Sequence, residues 1–408
     1  MGASVKRLNG AMGNENICIL AGWLIDGSGA AAKRRIRIEL ENGFIRSIDK
    51  LCGSLPDSAK GDRAVLDLSD CTLLPALVDC HVHLAMPVVS ETRVFANGSV
   101  DEYHRIHQRL NQYLAMGVFA VRDGGDAQGR VQAYKWGQAG FKNHPVSLCT
   151  AGEARHRPGR YGHWIGCALP PEQTLAESVF KEREGIDHIK IINSGLNSLT
   201  IFGRQTRPQF DRAEMKAAIR AAGQRGFKTM VHANGKIPVK IAVEAGCDSI
   251  EHGFFMGKEN LLRMADRGTF WVPTAFTMKA LNDRMKRRGE PVDVVQKNLA
   301  HQIEQIQTAA KLGVRVALGT DAGSVGVRHA RAHIAEMQLL VEAGYPIEKA
   351  VQCASHHGAM LLGLSRVCLI RKDWQATFIA VRGDPSRLPE SLNKIEIIFI
   401  KGKQINKV

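Results

Sequence analysis

Along the first part of the chain apolar and polar residues alternate in short runs, "ICILAGWLID" and "RIRIELENGFIRSID", cut by Gly-Ser and Asn-Gly turn signals. A period of two between turns predicts a small antiparallel β unit. From Thr72 the rhythm changes. Short apolar runs, "LLPALVD", "GVFAVRD", "PVSLCTA", "HIKIINS", "KTMVHA", "DSIEHG", "TFWVPT" and "RVALGTD", alternate with longer stretches of helical period. One connecting segment, "QFDRAEMKAAIRAAGQRG", opens with an aspartate and closes on glycine, and "IPVKIAVEAGC" repeats the helix-then-glycine ending. Eight strand-like runs separated by helices predict an α/β fold, a (β/α)8 TIM barrel. After Gly363 strand character returns in "ATFIAVRGDP" and "IEIIFIKGKQI". The expected layout is a small β-sandwich domain built from both termini, residues 17–71 and 365–408, beside a barrel over 72–364.

The 408 residues suffice for such a barrel with an accessory domain, or for two or three ordinary domains, and 44% hydrophobic with 23% charged residues is a globular balance. No run has the length of a membrane span, and the start "MGASVKRLNGAMGNEN" has no apolar segment of leader type, so a cytoplasmic protein is expected. Met1-Gly2 invites an N-myristoylation reading, but Lys6 stands where that motif wants Ser or Thr. The nine cysteines are scattered with no C-x-x-C pair, which argues against a disulfide framework and a zinc ribbon and for free thiols. A net charge of +15 is compatible with nucleic acid, a membrane surface or an acidic substrate. The basic residues fall in separate short clusters without interleaved aromatics, which favours a small anionic substrate and neither nucleic acid nor membrane. A homo-oligomer is expected.

The chemistry starts at "VDCHVHL". On a strand His81 and His83 point to one face and Cys80 to the other, a geometry for sharing one metal ion. Histidines at strand ends are also commonly solvated or satisfied by a hydrogen bond, so the pair alone decides little. In a barrel of this type the active site lies at the C-terminal strand ends. There the fourth run carries Lys190, the fifth His232, the sixth His252 and the eighth Asp321. Imidazoles and a carboxylate converging on one mouth suit Zn²⁺ with an open position for water.

In this order "LPALVDCHVHL", "HIKIINSG", "VHANG", "SIEHG" and "GTDAG" resemble the amidohydrolase superfamily, and within it the imidazolonepropionase and prolidase-like (Xaa-Pro or Xaa-Arg dipeptidase-like) branch. The resemblance runs over nearly the whole chain. It implies a site with two zinc ions: His81 and His83 on the more buried one, His232 and His252 on the other, and Lys190, carboxylated by CO2 to a carbamate, bridging them. Asp321 would complete the first site and act as general base, then acid, for a metal-bridged hydroxide. The implied activity is hydrolysis of an amide bond in a small carboxylate-bearing substrate such as a dipeptide or N-acyl amino acid. The alternative is a cyclic-amide hydrolase or heterocycle deaminase of imidazolonepropionase type. In "RHRPGRYGHW", His163 is a candidate to hold a substrate carbonyl or carboxylate, Tyr161 an oxyanion donor, and Arg155, Arg157 and Arg160 carboxylate clamps. Three positions depart from the family pattern: Asn234 replaces an aromatic residue or histidine, Ala76 a glycine, and Thr377 an aspartate.

Overall fold

The computed structural model describes residues 16–51, 64–86, 100–137, 144–182 and 185–405. Met1-Gly2, Lys6 and Cys52 lie outside them. The chain divides into two compact units. One takes the chain up to Val78, Tyr113–Phe119 and the chain from Tyr345; the other takes Asp79–Gln112 and Ala120–Gly344.

The first unit is built on β1 (Ile17–Leu24), β2 (Lys33–Glu41), β3 (Phe44–Lys50) and β4 (Ala64–Pro75). In β2, Ile36, Ile38 and Leu40 are buried on alternate positions, the predicted period of two. β2 turns into antiparallel β3 at Asn42 and Gly43, with φ of 53° and 78°, values that suit a type I′ hairpin. β1 pairs antiparallel with β2 but parallel with β4, so this unit is not purely antiparallel. The C-terminal strands Phe378–Arg382, Ile395–Ile400 and Lys403–Ile405 complete one sheet of seven, and Ile19, Ile38, Leu68, Phe378 and Phe399 belong to its core. Thr377 is buried there, its hydroxyl accepting from the Lys401 N–H at 3.0 Å and its carbonyl from the Ala76 N–H at 3.2 Å.

The parallel strands follow. β5 (Leu77–Val82), β6 (Val118–Asp123) and β7 (Ser147–Thr150) form a sheet of three. β8 (Ala154–His156), β9 (Gly166–Ala168), β10 (His188–Ile192), β11 (Lys228–Ala233), β12 (Ser249–His252) and β13 (Phe270–Val272) form a sheet of six in the order β13-β12-β11-β10-β8-β9. The pairings β10–β11, β11–β12 and β12–β13 are all parallel, and β10 is buried along its whole length, as a strand covered on both faces must be. The short strands β8 and β9 lie in the segment after β7, which the hydrophobic pattern reads only as loop. The chain ends in β14 (Phe378–Arg382), β15 (Ile395–Ile400) and β16 (Lys403–Ile405).

Helix Arg212–Gln224 starts where the sequence places it: Asp211 accepts from the Glu214 N–H and Glu214 reaches back, a reciprocal cap. Helix Lys236–Ala245 ends on Gly246 in the left-handed region. The eighth apolar run differs from expectation. It makes isolated parallel bridges, Trp271 to Val316 and Val82 to Ala322, in place of a regular strand. The reason is local: the Thr320 N–H and hydroxyl bond the buried carboxylate of Asp79 at 3.0 and 2.7 Å, so a side chain occupies a donor that a ladder would use. One further link joins the sheets, from the Asp187 N–H ahead of β10 to the carbonyl of Thr150 at the end of β7, at 2.9 Å.

No helix among the described residues is long and apolar enough to cross a membrane. None of the described cysteines, Cys18 through Cys368, is in a disulfide.

Candidate metal centre

β5 brings His81 and His83 to one face, their ring centroids 5.3 Å apart. Room for both comes from the end of β6: a Cβ on Gly124 would lie 2.7 Å from His83 Cε1 and 3.4 Å from His81 Nε2. Asp321 enters from the eighth run with its Oδ1 3.4 Å from His81 Nε2 and 3.3 Å from His83 Nε2. The ligand atoms of His81, His83 and Asp321 all lie within 4.8 Å of one another. Lys190, wholly buried on β10, places its Nζ 3.4 Å from His81 Nε2. His252 stands 5.0 Å from His81 and 4.6 Å from His232, ring centre to ring centre. The six strand-end residues singled out in the sequence are thus neighbours.

The outer nitrogens are committed, which aims the inner ones. His81 Nδ1 meets Glu251 Oε2 at 2.8 Å and His83 Nδ1 meets the Gly125 carbonyl at 3.0 Å; facing acceptors, both nitrogens donate, which points each Nε2 at the centre. His252 Nδ1 bonds the Thr274 hydroxyl at 2.7 Å. In His232 the roles invert: Nε2 lies 3.3 Å from the Gly195 carbonyl, which leaves Nδ1 for the centre. Such outer partners fix ring orientation and tautomer, as metal-ligating imidazoles require.

Charge follows from burial. Desolvation pushes His81 and His232 well below the usual imidazole range and His252 down to about 4, so all three are neutral and carry lone pairs at pH 7. For His83 burial is outweighed by the hydrogen bond and charge of Asp321, and its pKa rises. For Asp321 burial is outweighed by the surrounding imidazoles, which hold its carboxyl well below the usual range. Lys190 is lowered to about 8, chiefly by desolvation. The neutral imidazoles of His81, His232 and His252 beside the ionised Asp321 form a donor set that fits a divalent cation.

Two backbone features turn side chains inward. His252 and Asp321 have φ of 66° and 57°, left-handed values uncommon outside glycine. Strict alternation would send Glu251 and His252 to opposite faces, yet both approach His81; the twist at His252 reconciles them. Glu251 is the principal site residue that sequence reasoning missed. It is fully buried, and its other oxygen receives Arg122 Nη2 at 2.8 Å, while Arg122 also donates to the Cys80 carbonyl at 2.7 Å and to Ser249 at 3.0 Å. Its only signal was adjacency to His252 in "SIEHG".

The residues of "RHRPGRYGHW" and Asn234 have varied placements. Tyr161 lies against His232, ring centroids 5.1 Å apart. His163 is exposed and stacks on Trp164 at 4.6 Å. Arg155 is buried and ion-paired with Glu182, and Arg157 is paired with Glu214 over the Phe210 ring. Arg160 is exposed, donating to the Arg207 carbonyl at 2.8 Å. Asn234 acts as a strut: its N–H donates to Ser194 Oγ at 2.9 Å and its Oδ1 accepts from the Phe254 N–H at 3.0 Å.

Parallel strands here present a histidine-carboxylate donor set near their C-terminal ends, a candidate metal site on an α/β scaffold. Residues 72–405 match the amidohydrolase family, and the chain belongs to it. It is 24% identical to the ochratoxinase of Aspergillus niger over 412 residues, 90% of this chain and 81% of that protein. A crystal structure of a Xaa-Pro dipeptidase with methionine bound in its active site superposes with a TM-score of 0.80 at 27% identity, over 96% of this chain and all of that one. The crystal structure of A. niger ochratoxinase gives 0.76 at 20%, covering 96% of each chain.

Proposed function

We propose that this chain is a zinc-dependent hydrolase that cleaves the amide bond of a small carboxylate-bearing substrate, a dipeptide or an N-acyl amino acid. The observation that carries the reading is the convergence of His81, His83 and Asp321 within 4.8 Å, with Lys190 beside them. Likeness to an Xaa-Pro dipeptidase and to ochratoxinase supports it.

The scaffold we infer is a closed (β/α)8 barrel with a terminal β-sandwich domain. The Trp271–Val316 and Val82–Ala322 bridges and the Asp187–Thr150 bond support closure. Within it His81, His83 and Asp321 would hold one zinc ion and His232 with His252 a second. Lys190, lowered to about 8, has enough neutral amine near pH 7 to take up CO2, and as a carbamate it would add an anionic ligand. Bound metal supplies an acidified water and polarises the scissile carbonyl.

The chain's own groups manage the proton and the substrate. Asp321, held ionised by its neighbours, accepts the proton of the attacking water through one carboxylate oxygen and returns it to the leaving nitrogen. Ser324 Oγ, 2.8 Å from Asp321 Oδ2, steadies the carboxylate. Arg155 and Arg157 are already paired with Glu182 and Glu214, which leaves Arg160 as the carboxylate clamp and His163 as a further contact at the rim. The test is amine release from pooled dipeptides and N-acyl amino acids by zinc- and bicarbonate-supplemented protein. Release from pools sharing one C-terminal residue is the expected result; silence across every pool contradicts the reading.

A further inference from the structure

Tyr161 lies against His232, its ring tilted 44° to the imidazole. The ring belongs to an apolar cluster with Met86, Ala154, Ile165 and Ile192, so its carbons are accounted for by packing. Phenylalanine would fill that space as well; the hydroxyl is the part that packing leaves unexplained. A phenol is protonated at neutral pH, so its O–H is available as a donor.

The backbone that carries Tyr161 is clasped from the opposite loop. Gln209, itself buried, donates through Nε2 to the Tyr161 carbonyl at 2.8 Å and accepts the Arg157 N–H at Oε1 at 2.8 Å. The same Nε2 lies 3.4 Å from the Ser194 carbonyl. The Gln209 N–H donates to the Asn193 carbonyl at 3.1 Å, and the Asn193 N–H to the His232 carbonyl at 2.8 Å. One side-chain amide therefore ties the segment bearing Tyr161 to the segment that follows Lys190 and, through Asn193, to His232.

We propose that the Tyr161 hydroxyl donates a hydrogen bond to the carbonyl oxygen of the scissile amide as that oxygen gains negative charge, and that Gln209 is the positioning residue that holds Tyr161 against His232. The inference rests on the amide-hydrolase reading. No proton is transferred at Tyr161; the bond strengthens as charge develops and relaxes when the amine leaves.

Loss of one such donor lowers kcat about 10²- to 10³-fold. The experiment compares wild type and Tyr161→Phe as metal-loaded proteins on the best amide found. Turnover should fall by that factor with KM within about twofold and metal content unchanged. In calorimetry, affinity for the N-methylphosphonyl derivative of the released amino acid should fall while affinity for the free amino acid holds. Gln209→Met should lower kcat in the wild-type background and have no further effect on top of Tyr161→Phe. A Tyr161→Phe protein with wild-type kcat, or one that loses analogue and free amino acid equally, overturns the proposal. Failure of the amide reading looks different: wild type would then cleave no amide at all.

Discussion

His81 Nδ1 and Glu251 Oε2 lie 2.8 Å apart with both side chains fully buried, and the other Glu251 oxygen is held by Arg122. This carboxylate therefore aims an imidazole at the metal centre while neutralising a buried guanidinium. Glu251→Gln keeps the shape and removes the charge. It should weaken metal binding about 10- to 100-fold and, by leaving Arg122 buried without its counter-charge, cost about 3–5 kcal/mol of stability. Competitive chelator titration and thermal melts check the two effects separately. A variant that binds metal like wild type would show that Glu251 does not orient His81.

Asp321 is assigned the proton. Asp321→Asn retains an oxygen for the metal and loses the basicity, so turnover should drop about 10²- to 10⁴-fold while metal content stays near that of wild type. Elemental analysis beside steady-state rates decides it. Metal loss as large as the activity loss would mean that Asp321 is only a ligand.

A separate test concerns stability against pH. Glu336 is fully buried, accepts the Ala275 and Phe276 N–H groups at 2.9 and 2.7 Å, and is pushed up to about 8 by burial. Its carboxyl is protonated in the folded chain and ionised in the unfolded chain between the ordinary carboxylate range and pH 8. Folding then takes up a proton, and stability falls as pH rises through that window, by at most about 1.4 kcal/mol per pH unit for one group. Asp79 at about 7 and Asp123 at about 6, both raised by burial, act with the same sign. In Glu336→Gln the decline between pH 5 and 8 should be shallower; denaturant melts across that range that run parallel to wild type would refute the assignment.

The candidate ligands could be picked out because alternation and chain order point to them: His81 and His83 share a face, Lys190 lies within its apolar run, and His232, His252 and Asp321 sit at the ends of theirs. What escaped depends on contacts between distant segments. Glu251 looks outward-facing by period two, and only the left-handed backbone at His252 admits both residues to the centre. Three arginines in "RHRPGR" looked equivalent, yet carboxylates far along the chain, Glu182 and Glu214, claim two of them. Gln209 gives no sequence signal because its value lies in bonding the backbones of Arg157 and Tyr161. The eighth run read as a strand because apolar character does not reveal that Asp79 would take the Thr320 donor.

In the function we propose, amide hydrolysis takes place at a zinc centre shared between His81, His83 and Asp321 on one side and His232 with His252 on the other, with Lys190 between them. The most direct measurement is the rate of amine release as zinc is titrated into chelated protein in bicarbonate buffer. The stripped protein should have no activity, and added zinc should raise the rate until the second ion per chain binds. Full activity in the stripped protein, or saturation at one ion, would contradict that function.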